Sequence, residues 1–207
     1  MSVKAKLKSK FDVHPGVLMT QAIITAMKEK TGRSLEEWLA VVANDGPSTE
    51  KERVAWLKAK HGLGTNYAGC IAESSVGKGE LFTAEGYLRL AGQYVEDLFA
   101  GPKAGLRPIY EALLAAGLKL GKDVRVCPCK TFVPLYRNHV FAQIKPTTRT
   151  RIDLGLALKD TKTPKRLIDT GGFAKKDRIT RRIEISSLGD IDDEVRRWMK
   201  AAYDMDA

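Results

Sequence analysis

The chain has 207 residues, 43% of them hydrophobic and 29% charged, and carries a formal charge of +10. That length holds one large domain or two small ones, and no apolar run approaches the ~20 residues of a membrane span. Three cysteines, Cys70, Cys127 and Cys129, are too few for a disulfide framework, so a reducing, cytoplasmic setting is expected.

The opening MSVKAKLKSKF is basic but is followed by no apolar stretch, so it reads as a charged, fraying arm rather than a secretory signal. Val17–Lys30 carries a helix-spaced stripe (Val17, Leu18, Ile23, Ile24, Met27), with Pro15 near its start and Gly32 as its stop. Ser34 and Glu37 form a capping box for a second helix built on Leu35, Trp38, Leu39 and Val42. A third helix, capped at Ser48 or Thr49, runs through Val54, Trp56 and Leu57 to about Lys60. The glycine-rich turn after it leads to a fourth. These elements predict a small helical domain over residues 1–80, with Trp38 and Trp56 as its bulkiest core side chains.

Residues 81–207 read as α+β. Helices are expected at Glu85–Phe99 and Leu106–Leu120, the latter with Pro108 in its first turn. Between Val124 and Leu158 four short strands follow one another. Ile152, Leu154, Leu156 and Leu158 alternate with Arg151, Asp153 and Gly155, one greasy face and one open one. Val140, Ala142 and Ile144 oppose Phe141, Gln143 and Lys145 in the same way. Asn138 suits one tight turn and Pro146–Thr148 the next. A Lys/Thr/Pro loop at Asp160–Lys165, a bend at Thr170–Gly172, a strand at Ile179–Ser187 and an acidic-start amphipathic helix at Asp190–Tyr203 complete an antiparallel meander with helices before and after it.

Charge concentrates on this sheet. Lys119–Arg182 holds 17 Lys/Arg against 5 Asp, an excess larger than that of the whole chain. A basic balance favours polyanions or anionic surfaces. Lys130, Arg137, Lys145, Arg149, Arg151, Lys175, Lys176, Arg178, Arg181 and Arg182 are the candidate phosphate contacts, with Tyr136 and Phe141 as stacking groups for unpaired bases. The competing reading is a solvated face with its aromatics in the core. Gly62-Leu63-Gly64-Thr65 resembles a helix–hairpin–helix turn, in which glycines admit a phosphate to a helix N-terminus. It equally suits a plain joint, with Gly62 as a C-cap.

Other constellations fail on spacing. Ser75-Val76-Gly77-Lys78-Gly79 lacks the glycine interval of a phosphate loop. Cys127-Pro128-Cys129 has no second pair to complete a zinc site. His14, His61 and His139 have no triad pattern. No catalytic residue, metal or cofactor is expected.

KTGRSLEEWLAVV…KERVAWLKAKHGLG resembles a small helical bacterial domain of unknown function. LFAGPKAGLRPIYEALLA…VRVCPCKTFVPLYRNHVFAQIKP…TRIDLGLAL resembles a second one fused to it, similar in pattern to α+β proteins of the secretion-chaperone-like fold. Several of those carry a DNA-binding label. Residues at the recurrent positions of that pattern are Lys130, Thr131, Phe132, Arg137, Phe141, Arg151, Asp153 and Arg182. Arg181 departs from it, standing where related chains tend to have His.

The expectation is therefore a non-enzymatic, cytoplasmic nucleic-acid binder of low sequence specificity, monomer or homodimer, with Lys145, Arg151 and Arg182 as its main charge contacts. The alternatives are a protein–protein adaptor, or a small-anion or nucleotide pocket between the domains.

Overall fold

A computed structural model describes residues 10–159 and 164–207. Most of the basic arm and residues 160–163 of the expected Lys/Thr/Pro loop lie outside the described residues. The chain divides into two compact units, Val13–Leu90 and a second formed by Ala91–Ala207 with the described residues before Val13. The division falls inside a helix (α5, Ala84–Leu98) rather than at residue 80. No described helix is long and apolar enough to cross a membrane.

The first unit is helical. α1 (Pro15–Thr31) starts on Pro15 and stops at Gly32, whose φ of 80° a side chain would resist. α2 (Leu35–Asp45) and α3 (Glu50–His61) each open on a complete capping box, Ser34 with Glu37 and Thr49 with Glu52. α4 (Thr65–Ser75) and a 3-10 turn at Lys78–Phe82 follow. Met27, Trp38, Val42, Leu57, Ala68 and Ile71 form the core, with Trp56 only partly buried against it. The Trp38 indole N–H is satisfied by Thr31 Oγ1 at 2.8 Å, as a buried donor requires.

The second unit is α+β. A 3-10 turn (Gly101–Leu106) leads into α6 (Arg107–Leu118), and then come β1 (Arg125–Val126), β2 (Val133–Tyr136), β3 (Val140–Pro146) and β4 (Ile152–Leu156). β5 (Ile168–Asp169), the one-turn α7 (Gly172–Lys175), β6 (Arg181–Ile185) and α8 (Asp193–Asp204) complete it. The six strands are antiparallel in the order β1-β2-β3-β4-β6-β5. Strand alternation decides which face closes. Ile144, Ile152, Leu154, Leu156, Ile183 and Ile185 are wholly buried, in one cluster with Leu113 of α6 and Val195, Met199 and Ala202 of α8. Each such aliphatic side chain is worth about 1.5–3 kcal/mol of burial, so a one-residue slip of register would be prohibitive.

One side chain departs from the alternation. Phe141 was expected on the open face and is fully buried, meeting the Tyr203 ring edge-on with centroids 5.5 Å apart. The β2–β3 register shifts between Leu135 and Tyr136, opposite the start of β3. A bulge bends and twists a strand, and here both Phe141 and its neighbour Ala142 are covered.

Candidate functional site

The open face of the sheet carries two cross-strand rows, Lys145–Asp153–Glu184 and Gln143–Gly155–Arg182. Arg151 reaches Asp153 at 3.0 Å and Glu184 at 2.8 Å, and Arg182 reaches the same two carboxylates at 3.1 and 2.7 Å. The bonds to Glu184 and Asp153 push the Arg182 guanidinium further up. Two arginines and two acids make a neutral quartet, and Arg151 and Arg182 are therefore committed within the sheet rather than presented to a polyanion. Gly155 leaves room for this cover: a Cβ there would fall 2.7 Å from Ile179 Cγ2 and 2.8 Å from Gln143 Cγ.

Of the other expected arginines, Arg137, Arg178 and Arg181 are committed as well. Arg137 pairs with Asp123 at 2.9 Å and lies over the Tyr203 ring, 4.4 Å from its centroid. Arg178 pairs with Asp206 at 2.6 Å, and the buried Arg181 with Asp169 at 2.9 Å. Lys175 and Lys176 sit exposed on and just after α7, with no ion pair among the described residues.

The Gly62–Thr65 turn serves as a helix joint. Gly62 adopts φ 67° and donates its N–H to carbonyls of α3, Leu63 is buried, and Gly64 is the N-cap of α4. Thr65 lines a hollow of about 300 Å³ with Met19, Ile23, Asn66 and Phe82, where the one charged lining residue is Glu73. An acid without a cation disfavours a phosphate there.

Tyr136 is half-buried, its phenol pushed up to about 12 by desolvation, with the Arg125 guanidinium 5.9 Å from the ring centroid. Phe141, enclosed in the core, is closed to a base. Cys127 is buried and its thiol is pushed up to about 12, while burial also raises Cys129. Both stay protonated near neutrality, so this pair is packing rather than a nucleophile.

Three unpaired members of the basic set, Lys130, Lys145 and Arg149, converge, while Lys175 and Lys176 stand apart from them. A cleft of about 530 Å³ is formed wholly by residues 97–149 of the second unit. The end of α5 and the turn after it contribute Asp97, Leu98, Ala100, Pro102 and Lys103. The β1–β2 loop, closed by Cys129 N–H donating to the Phe132 carbonyl at 2.9 Å, presents Lys130 and Thr131. The end of β3 and the following turn supply Lys145, Pro146, Thr147 and Arg149. In that turn the N–H groups of Thr147 and Thr148 both donate to the Arg151 carbonyl, which holds Arg149 at an exposed tip. Lys103 donates to the Pro146 carbonyl at 2.6 Å, fastening one wall to the other.

Four cations thus face one acid, Asp97, which accepts from Gln93 at 2.7 Å. Among the described residues, no carboxylate lies within ion-pair distance of Lys103, Lys130, Lys145 or Arg149. Uncompensated cations in a concavity focus positive potential. Lys130, Lys145 and Arg149 were among the candidates read from sequence. Lys103 was not, because it precedes the basic stretch and only the turn after α5 brings it to the sheet.

Residues 95–206 match the model of a domain of unknown function, DUF5655, and residues 19–75 that of another, DUF4287. Searches of curated proteins and of solved structures returned no match.

Proposed function

The chain belongs to the family of DUF5655, whose model spans more than half of it, and we propose that it binds nucleic acid without sequence preference, holding phosphate at the cleft of Lys103, Lys130, Lys145 and Arg149. The observation that carries this reading is selective neutralisation. Arginines on the open sheet face are matched by acids, whereas the four cleft cations are not. Three free cysteines fit a reducing compartment such as the cytoplasm. Among the described residues, none that lines the cleft is a nucleophile paired with a base, and binding rather than turnover is proposed.

The test is fluorescence anisotropy of single-stranded DNA and RNA over a salt series. One or two phosphates neutralised on a single strand correspond to a slope of about −0.7 to −1.4 in log K against log salt. Lys130→Ala, Lys145→Ala and Arg149→Ala should each weaken binding and shallow that slope. Affinity indifferent to salt, or unchanged in the triple variant, would remove the reading. An adaptor role draws support from one separate observation, the exposure of Leu18 and Met19 on α1. It predicts binding that survives the triple variant and fails in Leu18→Ser.

A further inference from the structure

We propose that the cleft takes a nucleoside monophosphate unit, with its phosphate on Lys130, Lys145 and Arg149 and its sugar and base against Leu98, Ala100 and Pro102. This rests on the nucleic-acid reading and narrows it to a ligand with one phosphate and an apolar remainder.

Three observations point this way. First, the size is that of a small-molecule site: about 530 Å³ falls inside the ~300–1,000 Å³ of clefts that enclose one compact ligand. Second, the two walls differ in chemistry. The sheet side provides three of the cations and the hydroxyls of Thr131 and Thr147, while the helix side sets Leu98, Ala100 and Pro102 between Asp97 and Lys103. A ligand with an anionic end and an apolar part matches both walls, its apolar part resting on Leu98, Ala100 and Pro102. Third, among the described residues the unpaired cations are not continued across β4 and β6. In the direction of β4 and β6 the next charges after Lys145 are those of the neutral quartet, Arg151, Asp153, Arg182 and Glu184. A long strand laid in that direction would find one strong contact and no track. A phosphomonoester, carrying roughly −1.5 to −2 near neutrality, concentrates its charge where the cations are.

Such a unit reaches the cleft either as a free nucleotide or as the phosphorylated end of a single strand. The test uses the full chain with inorganic phosphate, adenosine, AMP and a single strand of about ten nucleotides bearing a 5′-phosphate, a 3′-phosphate or neither. Calorimetry should give AMP about tenfold tighter binding than phosphate or adenosine, lost in Arg149→Ala and partly kept in Arg149→Lys. Arg149 stands on an exposed turn, so the fold should survive both changes, and Lys130→Gln gives an independent second variant.

If the phosphorylated strands also bind about tenfold tighter than the bare one, the strand end is the source. If only AMP gains, the free nucleotide is. Strands that bind with a salt slope but regardless of their ends, with AMP no better than phosphate, overturn this proposal and leave the nucleic-acid reading standing. AMP binding without any strand binding does the reverse. Binding of neither removes both.

Discussion

Asp206→Ala should be among the most damaging single changes to the α+β unit, although the residue lies two positions beyond α8. Its carboxylate is buried and takes three donors: the His139 N–H at 2.7 Å, His139 Nδ1 at 3.0 Å and Arg178 at 2.6 Å. The backbone joins in, with Asn138 Nδ2 donating to the Asp206 carbonyl at 2.9 Å. Removing the carboxylate strands the His139 amide, a loss of about 1–3 kcal/mol for a part-buried donor left unpaired. The Arg178 pair adds at most about 1 kcal/mol, because the arginine is 45% exposed and screened. The sum, about 1–4 kcal/mol, corresponds to a fall in Tm of roughly 2–16 °C for a chain of this size. Asp206→Asn, which keeps an acceptor for the amide, should lose about half as much. Thermal melting gives the total, and hydrogen exchange in the β2–β3 turn gives its location, since protection should drop there first. A Tm within about 2 °C of the parent, or unchanged exchange at residues 138–140, would refute the argument.

Gly155→Ala should cost about 1–3 kcal/mol in urea unfolding, because the new Cβ must displace Ile179 or Gln143; a neutral outcome would mean the two side chains are free to move aside. Arg151→Ala should destabilise by about 1–3 kcal/mol, since it leaves Asp153, 14% exposed, and Glu184 one cation short, while Arg149→Ala stays within about 0.5 kcal/mol of the parent. Equal losses in the two variants would contradict the division between committed and free arginines. Hydrogen bonds from Tyr203 and Arg137 hold the Asp123 carboxyl below its ordinary value of 3.8. With the folded value depressed, its stabilisation is complete above that ordinary value and is lost as pH falls through the folded one. The gap in Tm between the parent and Asp123→Asn should therefore be widest near neutrality and close in acid, and a gap that widens below pH ~4 would reverse the sign.

The meander was legible because its apolar residues alternate cleanly: Ile152, Leu154 and Leu156 declare one face in any register that buries them. The capping box at Ser34, the cap at Ser48 or Thr49, and the stops at Gly32 and Gly62 were legible because capping is local chemistry; the full box of Thr49 with Glu52 was not read. Phe141 was misplaced because a bulge is a property of two strands together, and one strand's pattern does not contain it. The fate of the arginines was hidden for a similar reason. Asp153 stands two residues from Arg151 and could have been paired from sequence alone, but Glu184 and Asp206 arrive from β6 and from beyond α8. A count of cations registers how many there are, whereas function depends on which of them the fold leaves unmatched. Lys103 shows the converse, a residue outside every basic run that a turn delivers beside Pro146.

The bond from Lys103 to the Pro146 carbonyl has a mechanical consequence. An ammonium has three hydrogens, and only one is engaged in this tether. The strut that sets the gap between helix and sheet therefore keeps two donors for whatever enters. Guest and scaffold can share one cation, so that filling the cleft would stiffen it instead of prising it apart.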